Sequence, residues 1–167
     1  MSIQEPPDRA RKLWKSVVGF TVTALAVVGG FLGIYTFLQG YSRYDLAGKW
    51  IVTDTIESTS DNAYKGLKLG YTIFLTQNGT VIQGTGEKES ENGSDLPPTA
   101  HSPIDLTGSI SGRKIRATFH EIGTKRKTEG TYDWTYDPGT KTLTGVFTST
   151  AADASGPSSG RGAASGE

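Results

Sequence analysis

Six cations fall within fifteen residues: Arg113, Lys114, Arg116, Lys125, Arg126 and Lys127. On strand alternation, Lys114, Arg116 and His120 point outward from one strand, and Lys125, Lys127, Glu129 and Asp133 outward from the next. Such a surface is either an anion site for a lipid headgroup, polyanion or nucleotide, or a solvated face with cross-strand pairs to Glu129 and Asp133. Glu87, Glu89, Glu91 and Asp95 form an acidic counterpart. A second constellation is aromatic. Trp50, Tyr71, Phe119, Tyr132 and Trp134 share the inward parity of their strands with Ile73, Ile110 and Phe147, a set that can stack on a flat ligand or fill a small core. Asp54 and Arg126 are the two charges at inward positions, and a buried charge demands a partner. The expectation is that they meet at one barrel mouth, as a structural ion pair or as the polar end of a binding pocket.

Catalytic chemistry is hard to assemble from the rest. There is no HExxH, no phosphate loop and no GxGxxG after a strand. His101 sits in a Pro-rich loop and His120 on an outward face, and both read as solvated. With 0 Cys the chain has no disulfide, thiolate metal site or Cys nucleophile. No catalytic residue, metal or cofactor is expected, so the protein reads as a non-enzyme. Seventeen Lys and Arg balance seventeen Asp and Glu, which argues against a nucleic acid polymer as partner.

The elements that position these residues fall into distinct segments. Val17 to Leu38 is a 22-residue run without a charge, of which fifteen are apolar or aromatic. As a helix it would be roughly 33 Å long, enough for a bilayer. It is longer than a signal-peptide core and has no cleavage site after it, so it reads as a retained anchor. Arg9, Arg11, Lys12 and Lys15 precede it, against Arg43 and Lys49 beyond. The positive-inside rule then puts residues 1–16 in the cytoplasm and the remainder outside. The expected location is a bacterial inner membrane, crossed once. Ala26, Gly29, Gly30 and Gly33 make a small-residue face of the GxxxG type, suited to a helix-mediated homo-oligomer.

After a linker over 39–45 the period becomes two. Leu46–Ile56, Leu69–Leu75, Val81–Lys88, Ile104–Ile110, Ile115–Phe119, Tyr132–Tyr136 and Leu143–Phe147 alternate apolar and polar residues, separated by turn signals such as Asn78-Gly79 and Asp137-Pro138-Gly139. Residues 46–150 are therefore expected to be all-β, an antiparallel up-and-down barrel of seven or eight strands. Glycines recur on the inward face at Gly48, Gly84, Gly86, Gly108, Gly130 and Gly145, which implies a narrow interior. Glu89–Pro103 reads as a long loop across one end. Residues 151–167, with fourteen Ala, Ser, Gly or Pro among seventeen, read as a disordered tail.

Gly48-Lys49-Trp50, at the start of the first strand, resembles the G-x-W opening of lipocalin and avidin-like (calycin) barrels. The resemblance implies that Trp50 closes one end of the barrel. In its order of parts, anchor then small barrel, the chain is also similar to membrane-anchored effectors of bacterial anti-phage signalling. In those, the barrel binds a cyclic nucleotide and the anchors assemble to damage the membrane. The reading that combines these observations is a tethered binding module holding a small ligand or protein partner near the bilayer. The alternatives are a nucleotide-sensing antiviral effector and a structural envelope subunit.

Overall fold

The computed structural model describes residues 44–123 and 126–163. The expected span, with Ala26, Gly29, Gly30 and Gly33, lies outside them, as do Lys125 and residues 164–167. Among the described residues no helix is long and apolar enough to cross a membrane.

Among the described residues nine strands run in chain order as β1 (Gly48–Thr55), β2 (Lys68–Asn78), β3 (Val81–Glu91), β4 (Ser94–Asp95), β5 (Ser102–Ser111), β6 (Lys114–Ile122), β7 (Lys127–Asp137), β8 (Thr142–Ser149) and β9 (Ser155–Gly162). Eight of them form a closed antiparallel barrel in which each pairs with the next and β9 returns to β1. The two-residue β4 folds back on the end of β3. Closure leaves none of the eight as an edge strand.

Alternation builds the interior. Trp50, Val52, Tyr71, Ile73, Leu106, Ile115, Phe119, Tyr132, Trp134 and Phe147 are all buried in one core. The bore is narrow because large inward residues face glycine on the adjoining strand. Phe119 stands opposite Gly130, Trp134 opposite Gly145, Phe147 opposite Gly156 and Trp50 opposite Gly162. A methyl group at Gly130 would strike the Phe119 ring, and one at Gly145 the Asp133 carbonyl oxygen. Gly48 departs from the expected inward set: it is exposed, with φ +124° and nothing near a would-be Cβ.

The two ends of the barrel differ. One carries tight turns and is capped by Tyr44, Leu46, Trp50 and Tyr136. The Trp50 indole donates to the Leu46 carbonyl at 2.8 Å and meets the Tyr136 ring edge-on at 6.1 Å. Gln77 ties down the entering chain, accepting from Leu46 N–H and donating to Tyr44 C=O, both at 2.9 Å. The β2–β3 turn consists of Gly79 and Thr80, because Asn78 is already paired with Val81; the positive φ of 60° falls on Gly79. The other end is open and carries the longer connections.

Two expectations are corrected. Residues 155–162 do not belong to a disordered tail but form β9, hydrogen-bonded to both β1 and β8. The long loop expected over 89–103 is shorter, since β3 continues to Glu91 and β5 begins at Ser102. In both segments neighbouring strands supply backbone partners that local composition does not reveal.

Candidate functional site

The open end is built from the far ends of β2, β3, β6 and β7. A bulge in the β2–β3 ladder determines what faces inward there. Tyr71 pairs with Lys88 and Leu69 with Glu91, leaving Glu89 as the extra residue. Cross-strand partners share a face, so Lys88 faces inward by plain alternation and the single insertion brings Glu91 to the inner side beside it. Glu89 is turned away and accepts a hydrogen bond from Thr72 Oγ1 at 2.7 Å.

Lys88 Nζ lies 3.1 Å from Glu91 Oε1 and 3.6 Å from Glu121 Oε1. The Tyr71 hydroxyl donates to Glu121 Oε2 at 3.2 Å. The Lys88 and Glu121 side chains are only 17% and 12% exposed, so the pairing is better shielded than a surface salt bridge. Burial, then the charge of Glu121, pushes the Tyr71 phenol well above its usual pKa, which keeps it a donor. This network forms one wall of a cavity of about 400 Å³ whose apolar walls include Ile56, Leu69, Phe119 and Phe147.

The 92–101 connection supplies Leu96 and Ala100 to the same cavity, and His101 pins it. His101 Nδ1 is 3.0 Å from Glu87 Oε2 and Nε2 is 3.1 Å from the Leu96 carbonyl oxygen. Both partners are acceptors, so only the imidazolium donates to both. The hydrogen bond to Glu87 is the main cause holding the His101 pKa above 6.5; desolvation opposes it, and the Leu96 carbonyl and the charges of Glu87 and Glu89 add to it.

Of the seven residues expected to bind a ligand inside the barrel, Tyr71, Phe119 and Arg126 line this cavity. Trp50 belongs to the closed cap. Tyr132 and Trp134 fill the bore, stacked at 4.1 Å with a 17° interplanar angle, and Phe119 packs on Tyr132 at 4.9 Å. Asp54 is 1% exposed. Its Oδ2 accepts from the Tyr132 hydroxyl at 2.8 Å, while Oδ1 is buried without a partner. Burial pushes the Asp54 pKa up to about 7, opposed by the neighbouring Ser158 and Tyr132 hydroxyls and reinforced by Glu121. Ser158 is close enough to exert that influence, yet no hydrogen bond of ordinary geometry reaches Oδ1.

The expected meeting of Asp54 with Arg126 does not occur. Arg126 is exposed and forms no ion pair with Asp54. It lies just before β7, in a turn closed by Gly123 N–H to its carbonyl, where strand alternation no longer dictates direction. The cation cluster is likewise divided. Lys114 faces Thr135 while Lys127 faces Ile122, so antiparallel pairing separates Arg113, Lys114 and Arg116 from Lys127 by roughly 20–30 Å along the sheet. Arg116 Nε binds Asp133 at 2.7 Å, Lys114 donates to Thr135 at 3.1 Å and Arg113 to the Tyr136 carbonyl at 3.0 Å.

Lys88, Glu91, Glu121 and His101 were missed from sequence. Two of them carried a signal: Lys88 continues the parity of Gly84 and Gly86, and Glu121 that of Ala117 and Phe119. Glu91 carried none, because the bulge reverses its parity. Compared with known proteins, the chain matches no family model, no curated protein and no solved structure.

Proposed function

We propose that this chain is a non-catalytic binding module that holds a small amphiphilic molecule in the open mouth of its barrel, with the 17–38 segment as membrane tether. One observation carries the reading. The cavity between Phe119, Phe147 and Leu69 combines apolar walls with the Lys88–Glu121–Tyr71 network, the mixture that favours an apolar body with a polar head. The tether, its cytoplasmic N-terminus, bacterial inner-membrane location and Gly-lined self-association rest on hydropathy and flanking charge. The likeness to lipocalins rests on the barrel and on Trp50 at its closed end.

Charge selects among occupants. Lys88 and Arg126 at the mouth are balanced by Glu91 and Glu121, so a neutral or zwitterionic molecule suits it better than a nucleotide phosphate. This ranks the nucleotide-sensing effector second. The envelope-subunit reading lacks a coherent charged face, since Arg116 and Asp133 neutralise each other.

The test is a thermal-shift series on the full chain in lipid nanodiscs with neutral, zwitterionic and anionic amphiphiles and cyclic nucleotides. A ligand that binds only the folded barrel raises its melting temperature. Zwitterionic or neutral amphiphiles should do so, and Leu69→Trp, which fills the mouth, should abolish the shift. Stabilisation by nucleotides alone would transfer the reading to the effector. No shift from any compound would overturn it.

A further inference from the structure

Strand β9 closes the barrel with almost no side-chain anchorage. Its sequence is SGPSSGRG, and its inward residues are Gly156, Ser158, Gly160 and Gly162. Apart from backbone ladders to β1 and β8, its one buried side-chain hydrogen bond is from Trp134 Nε1 to Ser158 Oγ at 2.8 Å. Release of β9 would remove little apolar surface of its own from the core, so side-chain packing contributes little to holding it in place. The gap left behind would be unfavourable. It would expose two strand edges and uncover Val52 and Leu143, which are 1% and 0% exposed, so an opened chain would be driven to recapture a strand.

The connection into β9 favours opening. Ala152 and Asp153 lie consecutively in the left-handed region, at φ 54° and 47°. For Ala152 this costs roughly 1–2 kcal/mol, and less for Asp153, whose short polar side chain tolerates the region. The Ala152 carbonyl holds the bend in place by accepting from Ser60 N–H at 2.7 Å and Thr59 Oγ1 at 2.9 Å. If the connection ran extended, both residues would leave the left-handed region, and a short, strained hinge of this kind invites strand exchange.

The gap also selects its occupant. A Cβ at position 156 would strike the Thr55 carbonyl oxygen, and one at 160 would lie 3.3 Å from the Val52 and Leu143 side chains. At the intervening inward position, the Trp134 indole requires a small hydroxyl acceptor. A strand with glycine, serine and glycine at alternate positions meets these demands, and residues 155–162 of this chain have that pattern. We propose that β9 is an exchangeable strand, and that two copies of the chain associate by each placing residues 155–162 between β1 and β8 of the other. This goes beyond the binding reading and does not depend on it.

Because the chain contains 0 Cys, exchange can be trapped. Thr53 and Ser159 are cross-strand partners on the outer face, at a separation a disulfide can bridge. Full-length chains carrying Thr53→Cys and Ser159→Cys separately are mixed in detergent micelles, warmed below their melting temperature and oxidised. A chain carrying both substitutions should close an internal disulfide, which verifies folding and geometry. The mixture should give a covalent dimer in severalfold excess over a Thr107→Cys plus Ser159→Cys control, whose positions lie on opposite sides of the barrel. Adding Ala152→Gly to the Ser159→Cys chain relaxes the hinge and should lower the yield. Equal yields from test and control pairs, or no dimer from either while the double variant closes internally, would overturn the proposal.

Discussion

Tyr132 and Asp54, 78 residues apart in the chain, meet at 2.8 Å inside the barrel, where the phenol donates to one carboxylate oxygen and leaves the other unpartnered. A carboxyl in this position is more stable protonated than charged, because the interior supplies one clear donor and little solvent.

That arrangement sets a pH dependence. Folded Asp54 retains its proton up to about 7, whereas its ordinary value is 3.8. Between those values folding takes up a proton, so stability falls as pH rises and levels off above about 7. The span is worth at most about 4 kcal/mol. Asp54→Asn should remove most of this slope, so that urea midpoints at pH 5 and pH 8 converge. An unchanged slope would assign the dependence to another group.

Gly130 should tolerate no side chain. Gly130→Ala places a methyl group into the Phe119 ring and the Thr148 carbonyl oxygen, and overpacking of this kind typically costs about 1–3 kcal/mol. Denaturant unfolding should show that loss. Gly48→Ala provides a comparison, because its strain comes from φ alone and no neighbour stands near the added carbon.

Lys88 and Glu121 should be energetically coupled. Lys88→Ala leaves a mostly buried Glu121 with only the Tyr71 hydroxyl, and Glu121→Ala leaves Lys88 with Glu91. Each single change should destabilise the barrel, and the double variant should cost less than their sum by about 0.5–3 kcal/mol. Additivity would mean that the pair contributes nothing as a pair.

The 92–101 connection should loosen as His101 loses its proton. The folded pKa of His101 is raised above 6.5. The tie is therefore complete below the unfolded value and is lost as pH rises through the folded one. Imidazole NMR titration should give a midpoint above 6.5 that moves down in Glu87→Gln. Amide exchange at Leu96 should accelerate, beyond the intrinsic pH effect, over the same interval. A midpoint unaffected by Glu87→Gln would show that the contact does not form in solution.

Much of this architecture was legible in the residues themselves. The alternation through Trp50, Ile73, Phe119 and Trp134 reads directly as inward faces, because a strand's side-chain period is two whatever its partner. The glycines facing Phe119 and Trp134 mark a bore too narrow for further side chains. What tertiary structure alone decided lies where that local rule lapses. Ser155–Gly162 has no apolar alternation and becomes a strand because β1 and β8 present it with two unpaired backbone edges. Glu91 faces the mouth because a bulge reverses its parity. Arg126 stays at the exposed rim of the mouth, away from Asp54, because it precedes the ladder rather than joining it, and His101 finds Glu87 and Leu96 only once β3 and β5 pair. Periodicity is a property of each strand, whereas pairing, register and the company of a charged side chain belong to the closed barrel.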